Sequence, residues 1–316
     1  MYAGFFAAVL VMVLIDMFAL NRAGNHKVSV REALGWSAVW FAIAMLFNAW
    51  LWWHIRGDVG SGLDEAARQA LANQKALEFM TGYLIEKSLA VDNIFVFLLL
   101  FGFFKVPDIY QRRVLVYGVV GAIIMRAVMI FIGAALVAKF SWVLYLFGAF
   151  LVFTGLKMML PEKEEQQDLT NNPVLKWLRR HLRVTDEFHE EKFFIRRNGM
   201  LWATPLFLVL VMIELTDLVF AVDSIPAIFS VTQDPFIVMT SNIFAILGLR
   251  ALYFLLADVA DRFHLLKYGL AAVLTFIGMK MLLLDVFHMP VAVSLGVVFG
   301  LLTASIVASL LVTRKS

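Results

Sequence analysis

Nine apolar segments, each close to the length of a membrane-spanning helix, dominate this sequence of 316 residues. Crossing the hydrocarbon layer of a bilayer takes about 20 predominantly apolar residues in helical form. The segments cover residues 2–20, 34–54, 78–102, 114–137, 141–160, 202–231, 237–257, 264–285 and 290–312. They lack the alternation of apolar and polar residues that marks membrane β-strands. The sequence therefore predicts an all-α, polytopic membrane helix bundle of about nine transmembrane helices.

The composition agrees with a membrane-embedded chain, since 62% of the residues are hydrophobic and only 16% are charged. Soluble domains have about 45–50% apolar and about 25% charged residues. Cysteine is absent, which excludes disulfides, thiolate metal ligands and thiol redox chemistry by this chain. The net charge of +3 is small and indicates basic loops at one membrane face, not nucleic-acid binding.

The distribution of Lys and Arg predicts the orientation in the membrane. Most of these residues fall in loops that would share one face, above all in the long loop 161–201. Loops rich in Lys and Arg lie on the cytoplasmic side. We therefore expect a periplasmic N-terminus, a cytoplasmic loop 161–201 and a cytoplasmic C-terminus.

Two short stretches within the apolar segments are alike and carry most of the intramembrane charge. Residues 86–94 and 217–225 each contain two carboxylates six positions apart, with Ala-Val before the second, and a further acid stands one turn before the second stretch. Carboxylates are costly inside a bilayer and usually serve a function there. We take five acids as candidate cation ligands: Glu86, Asp92, Glu214, Asp217 and Asp223.

A structural alternative is that these acids form ion pairs with cations of neighbouring helices. The candidate charge-compensating residues are Lys87, Arg126 and Arg250. Three cations can pair with only three of the five carboxylates. Two carboxylates would remain unpaired, which favours a functional role. Possible neutral ligands are Asn93, Thr216 and Ser224, and each is equally suited to helix packing in a membrane.

The spacing of the acids leaves two arrangements open. In a regular helix Asp217 and Asp223 point about 120° apart and lie about 9 Å apart along the axis. Either the helix supplies two levels of a pathway or it is broken between its acids. Pro226 favours a break, because its missing N–H frees a backbone carbonyl near Val222. Oxygen ligands of this kind suit hard divalent ions, namely magnesium, calcium or manganese.

The repeat is wider than the acidic stretches. Gly155-x-Lys157 matches Gly278-x-Lys280, and Arg126 matches Arg250. Each copy holds three spans, and because three is odd, consecutive copies must have opposite orientations in the membrane. Asp92 and Asp223, at equivalent places in the copies, are then expected to meet near a pseudo-twofold axis. Inverted repeats with a site near the membrane midplane are typical of secondary transporters.

The predicted organisation has five parts. They are two N-terminal spans (1–77), a first three-helix repeat (78–160), a cytoplasmic loop (161–201), an inverted three-helix repeat (202–285) and a final span with a cytoplasmic tail (286–316). Within the loop, Asn172-Pro173 predicts the start of an amphipathic helix and Asn198-Gly199 predicts a hairpin turn. That helix either lies on anionic lipid headgroups or packs over the mouth of the bundle.

At these motifs the chain resembles the TerC family of bacterial integral membrane proteins. Three stretches carry the resemblance: Glu86-Lys-Ser-Leu-Ala-Val-Asp-Asn-Ile-Phe, Phe-Ala-Val-Asp223-Ser-Ile-Pro-Ala-Ile and Thr-Ser-Asn242-Ile-Phe-Ala-Ile-Leu-Gly-Leu-Arg250-Ala. The resemblance implies export of manganese(II) across the bacterial inner membrane, with the five acids as its intramembrane carboxylates. Mn²⁺ is then the transported ion, with no prosthetic group. Independently of the resemblance, a desolvated carboxylate can exchange a metal ion for a proton, so we expect protons as the counter-ion. An older description of the family as a redox modulator conflicts with the absence of cysteine.

Two other functions are alternatives to transport. A partner protein in membrane biogenesis or metalation would act through protein contacts, so its acids should tolerate amide replacement while the loop 161–201 should not. An intramembrane aspartyl protease would carry a Gly-x-Gly-Asp motif, and the sequence has none. We therefore expect that the protein is not an enzyme.

Overall fold

The structure is a computed structural model that describes residues 2–21, 29–58, 62–140, 142–160, 173–197, 199–257, 265–283, 285–286 and 289–313. Helix residues 16–21, 30, 92, 95, 266, 310 and 313 are described by their backbone alone. The helices are α1 (Tyr2–Asn21), α2 (Val30–Arg56), α3 (Glu65–Phe103), α4 (Asp108–Lys139), α5 (Val143–Met159), α6 (Pro173–His181), α7 (Pro205–Phe229), α8 (Pro235–Leu247), α9 (Leu249–Ala257), α10 (Leu266–Leu282) and α11 (Val291–Thr313). A two-stranded sheet is formed by β1 (Phe194–Arg197) and β2 (Met200–Ala203). The predicted all-α class is confirmed.

Several of these helices can cross a membrane. Four described segments are long and apolar enough on their own: Arg31–Arg56, Asp108–Lys139, Pro205–Phe229 and Val291–Ser309. The bent pair α8 and α9 makes a fifth if it counts as one span. Tyr2–Ile15 and Val143–Met159 are apolar but shorter. The chain is thus a multi-pass membrane helix bundle, and the number of nine spans stays a prediction.

Local sequence explains where the central helices begin. The side chain of Asp64 accepts a hydrogen bond from the Ala67 N–H at 2.7 Å and starts α3 before its apolar part. The side chain of Asp234 accepts from the Phe236 N–H at 3.0 Å and starts α8. Short acidic side chains satisfy the free N–H groups of a first helical turn in this way.

A close contact between α5 and α10 depends on glycine. At Gly278 an added Cβ would lie 2.6 Å from the Gly148 carbonyl oxygen, and at Gly155 it would lie 2.7 Å from the Ala271 carbonyl oxygen. Small residues allow this close approach of helix backbones in membranes. The two helices that carry the matching Gly-x-Lys stretches therefore pack directly against each other.

The expected break beside Asp223 does not occur. α7 runs without interruption from Pro205 to Phe229 and includes Pro226. Pro226 lies in the last turn of α7, and its missing N–H removes only the helical hydrogen bond to the Val222 carbonyl. The break occurs instead at Gly248, where α8 and α9 meet at an angle of 41°.

The soluble-looking segment forms the two elements that its sequence predicts. α6 begins at Pro173, and β1 and β2 pair as a hairpin whose turn includes Gly199 at φ +75°. Leu175 and Leu178 of α6 are buried against Leu208 of α7. The sequence left two arrangements open for α6, on lipid headgroups or packed over the mouth of the bundle. In the structure α6 packs on one end of the bundle.

Candidate functional site

A single arginine in the middle of α4 joins two carboxylates from different helices. Arg126 donates from Nε and Nη2 to the two carboxylate oxygens of Asp217, at 3.0 and 2.8 Å. Its Nη1 donates to Glu86 on α3 and lies 3.3 Å from the hydroxyl oxygen of Ser224. Glu86 and Asp217, the first acids of the two similar stretches, are therefore held by one guanidinium.

Two asparagines complete the hydrogen bonding of these carboxylates. Asn93 Nδ2 donates to Asp217 Oδ1 at 3.1 Å, and Asn242 Nδ2 on α8 donates to Glu86 Oε2 at 3.0 Å. These six residues, which we call the arginine cluster, are each 0–2% exposed: Glu86, Asn93, Arg126, Asp217, Ser224 and Asn242. The cluster connects α3, α4, α7 and α8 in the interior of the bundle.

Charge within the arginine cluster does not balance. Two carboxyl groups face one guanidinium, so with both ionised the cluster has a net charge of −1. A buried charge is tolerated when it is paired and hydrogen-bonded, and each carboxylate here has both kinds of partner. The remaining negative charge favours the approach of further positive charge.

The helices α3 and α7 run in opposite directions, and this determines how deep in the bundle the other acids lie. At one end of the bundle Thr232, just after α7, donates to Glu78 in the first half of α3. At the other end Phe104, just after α3, packs against the cluster that Leu208 of α7 forms with the α6 residues Leu175 and Leu178. The two acidic helices are therefore antiparallel.

The expectation that Asp92 and Asp223 meet stays a prediction, and the structure bears on it only through the neighbouring residues. Ser224 shares Arg126 Nη1 with Glu86, so the neighbouring Asp223 lies at the depth of Glu86. Asn93 contacts Asp217, so the backbone of Asp92 lies at the depth of Asp217. The side chain of Asp92 is outside the described residues. Arg126 joins the first acids of the two stretches across this antiparallel pair of helices.

Two more acids lie outside the arginine cluster. Asp223 accepts a hydrogen bond from the Thr154 hydroxyl of α5 at 3.3 Å. The carboxylate of Glu214 lies against Gly121 of α4, where an added Cβ would overlap it. Glu214 is one turn, about 4.5 Å along the axis, from Asp217 towards the end of α7 that contacts α6.

The four candidate acids whose side chains the structure describes, Glu86, Glu214, Asp217 and Asp223, do not form a single compact cage. In the part of the chain that the structure describes, no three His, Cys, Asp or Glu side chains are close enough to hold a metal ion together. The physical reason is that Arg126 separates Glu86 from Asp217, while Glu214 and Asp223 lie on either side in depth.

The remaining candidates have varied surroundings. Thr216 donates its hydroxyl to the Met212 carbonyl of its own helix at 2.7 Å. Lys87 Nζ donates to the Ala245 carbonyl at 3.2 Å, so it contacts the end of α8 beside the Gly248 break and not one of the five acids. A cation there suits the negative end of a helix. Arg250 is buried on α9, beyond that break.

Sequence reasoning missed Asn242 as a site residue. A sequence signal was present, because a polar amide within the apolar segment 237–257 needs a polar partner. Its partner Glu86 is 156 positions away, so no local pattern could identify the pair.

A second polar network closes one end of the bundle, opposite α6. Glu78 accepts hydrogen bonds from Gln74 at 2.8 Å, Lys75 at 3.0 Å and Thr232 at 2.6 Å. Lys75 also pairs with Asp234 at 3.3 Å. Burial lowers the pKa of Lys75, but its bonds and charge interactions with Glu78 and Asp234 outweigh this and raise the pKa overall.

Comparison with known proteins identifies relatives over nearly the whole chain. A protein of Salmonella typhi named "Putative membrane-bound redox modulator Alx" is 55% identical over 315 residues, which cover 100% of this chain and 95% of the relative. The protein of the same name from Escherichia coli (strain K12) is 55% identical over 307 residues, covering 97% and 93%. An "Uncharacterized membrane protein" of Rickettsia bellii is 40% identical over 312 residues, covering 99% and 97%.

No solved structure matches this chain. The family described as "Integral membrane protein TerC family" matches residues 71–316, which include most of α3, all of α4 to α11 and all residues of the arginine cluster. The resemblance carried by the acidic stretches is therefore confirmed, and the chain belongs to the TerC family of integral membrane proteins.

Proposed function

We propose that this protein transports a hard divalent cation, with manganese(II) as the first candidate and export across the bacterial inner membrane as the direction. The observation that carries the proposal is the buried pairing of Glu86 and Asp217 with Arg126 inside a membrane bundle. Carboxylates at such positions are expensive and mark ion pathways in membrane proteins.

Charge explains how the arginine cluster alternates between binding Arg126 and binding a cation. Two carboxylates balance one divalent cation, so binding of the ion and binding of Arg126 exclude each other. Arg126 then acts as a built-in counter-ion that holds the acids between transport cycles. A buried acid that has released its cation needs another positive partner, and protons are the proposed exchange ion.

The other acids supply steps of a pathway. Glu214 lies towards the α6 end, about 4.5 Å along α7 from Asp217, and Asp223 lies about 9 Å from Asp217 in the opposite direction. An ion entering beside Glu214 would pass between Glu86 and Asp217 and leave beside Asp223. In the proposed orientation the α6 end is cytoplasmic, which makes this the direction of export.

The inverted-repeat architecture belongs to the same proposal. It is supported by the antiparallel course of α3 and α7, whose first acids share Arg126. It is supported as well by the close glycine contact of α5 with α10. These helices hold equivalent places in the two proposed three-helix units, 78–160 and 202–285.

The relatives' printed name suggests redox modulation as another role. Cysteine is absent from this sequence, so its own side chains cannot carry out thiol redox chemistry. The arginine cluster offers carboxylate, amide and hydroxyl oxygens, which are typical ligands of magnesium, calcium and manganese.

The test is ion flux through purified protein in sealed liposomes, with manganese compared with magnesium, calcium, iron and zinc. We expect manganese flux in the wild type and its loss in Asp217→Asn and Glu86→Gln. Glu65→Gln is the control, because that side chain is 79% exposed at the start of α3. Absence of flux in the wild type, or full flux in both cluster variants, contradicts the proposal.

A second candidate function is a partner protein in membrane biogenesis or metalation. The feature that favours it is the apolar surface of the α6 and hairpin region, where Trp177 is 57% and Leu201 is 64% exposed. This role predicts that Trp177→Ser and Leu201→Ser abolish activity in cells while Asp217→Asn retains it. The transport proposal predicts the reverse.

A further inference from the structure

We propose that Asn93 and Asn242 are oxygen ligands of the transported ion and set the preference for hard cations. The proposal rests on the transport function above and adds to it the neutral half of the binding site. Asn93 was a candidate from its place beside Asp92, whereas Asn242 emerges from the structure.

Both amide side chains have an unused oxygen in a buried place. Asn93 is 1% and Asn242 is 0% exposed. Each donates from Nδ2 to one carboxylate of the arginine cluster, yet the Oδ1 atom of each is buried and has no hydrogen-bond partner among the described residues. Buried polar atoms are nearly always satisfied, so a pair of exceptions at one cluster calls for an explanation.

Rotation of an amide group accounts for the unused oxygens. The NH₂ group and the oxygen of asparagine are close in size, and a half turn of the amide exchanges them. A carboxylate paired with Arg126 accepts hydrogen bonds, so the NH₂ group faces it. A cation bound to that carboxylate requires oxygen on the same side, which the rotated amide provides.

The distances fit this exchange. Neighbouring ligands of an octahedral ion with bonds of about 2.1 Å are about 3.0 Å apart. The measured separations between amide nitrogen and carboxylate oxygen are 3.1 Å for Asn93 with Asp217 and 3.0 Å for Asn242 with Glu86. An oxygen in place of each nitrogen would therefore lie where the adjacent ligand of such an ion belongs.

The preference for hard cations follows from the chemistry of these carboxylate and amide oxygens. Each pair, Glu86 with Asn242 and Asp217 with Asn93, offers one negative and one neutral oxygen ligand to an ion that replaces Arg126. Manganese and magnesium prefer octahedral oxygen sites, whereas zinc is satisfied by four ligands and accepts nitrogen readily. Loss of an amide oxygen should therefore affect manganese more than zinc.

The test uses histidine as a spectroscopic label. Asn93→His and Asn242→His are purified, loaded with Mn²⁺ and measured by pulsed electron paramagnetic resonance for nitrogen bound directly to manganese. Asn48→His is the matched control, since Asn48 Oδ1 is likewise buried without a partner among the described residues but lies on α2, whereas the cluster is built from α3, α4, α7 and α8. Asp217→Asn establishes that the observed Mn²⁺ occupies the cluster.

We expect directly bound nitrogen in both cluster variants and in neither the wild type nor the control. Zinc flux relative to manganese flux should rise about tenfold or more. Mn²⁺ bound at the cluster without nitrogen coordination, together with an unchanged zinc-to-manganese ratio, overturns the proposal and leaves the amides as positioning residues. Failure of the wild type to bind Mn²⁺ is a different result, because it overturns the transport function itself.

Leucine variants keep the proposal testable if the histidine variants do not fold. Leucine is close to asparagine in size and offers no ligand atom. Asn242→Leu should lower manganese flux at least several-fold more than zinc flux. An equal loss of both ions overturns the ligand role.

Discussion

Arg126 binds Asp217 through two hydrogen bonds, from Nη2 at 2.8 Å and from Nε at 3.0 Å, and both residues are almost completely buried. Pairing through two donors of the planar guanidinium fixes the carboxylate in orientation as well as in distance. Because Arg126 lies on α4 and Asp217 on α7, this pair fixes two helices relative to each other. The third donor reaches Glu86 and adds α3.

We predict that Arg126→Ala destabilises the protein and that Mn²⁺ restores much of the loss. Removing one partner of a buried ion pair typically costs about 3–5 kcal/mol, because the carboxylates remain buried without their counter-ion. A divalent cation would replace the missing positive charge. The measurement is thermal unfolding in detergent with and without Mn²⁺, compared with the wild type. Stability unchanged by the substitution, or a variant indifferent to Mn²⁺, would contradict the role of Arg126 as counter-ion.

A second prediction concerns the space that Glu214 occupies. Gly121→Ala should reduce ion flux about tenfold or more, because the new methyl group overlaps the Glu214 carboxylate and must displace it. Gly102→Ala on α3 is the matched control, since an added Cβ there has nothing within 4 Å and alanine favours helix. Equal flux in the two variants would show that the position of Glu214 is irrelevant to transport.

Much of the fold follows from local sequence. Apolar segment length predicts spanning helices, Asn172-Pro173 predicts the start of α6, and Asn198-Gly199 predicts the hairpin. Each of these signals depends on a few neighbouring residues, so local sequence is enough to predict these elements. Pro226 led to the wrong prediction of a helix break. A local rule gives the propensity of proline to break a helix, but it does not show that α7 continues to Phe229.

The arrangement of the site could be predicted only in part. Charge in an apolar segment identifies Glu86, Asp217 and Arg126 as special, but their pairing depends on how α3, α4 and α7 cross. The sequence also assigned Lys87 to the acids, whereas it contacts a carbonyl at the break after α8. Partners separated by 40 to 156 positions are set by tertiary packing, which no local pattern determines.

The network at the bundle end opposite α6 gives a prediction about pH. The pKa of Lys75 is raised above its usual value of 10.5 by Glu78 and Asp234. A raised pKa in the folded state stabilises the fold fully below the unfolded value and is lost as pH rises through the folded value. Thermal stability should therefore fall more steeply above pH about 10.5 in the wild type than in Lys75→Met. Parallel curves for the two proteins would contradict a stabilising role for this ion pair.

The last prediction concerns orientation. Trp177 on α6 and Leu63 before α3 are 57% and 44% exposed, and the three helices α3, α4 and α5 lie between them in the chain. An odd number of crossings places the two positions on opposite sides of the membrane. Because the sequence has no cysteine, Trp177→Cys and Leu63→Cys each introduce a single reactive thiol. We expect an impermeant maleimide applied outside spheroplasts to label position 63 alone, and position 177 only after lysis. Labelling of both positions from outside would mean an even number of crossings and would exclude the inverted arrangement of the two three-helix units.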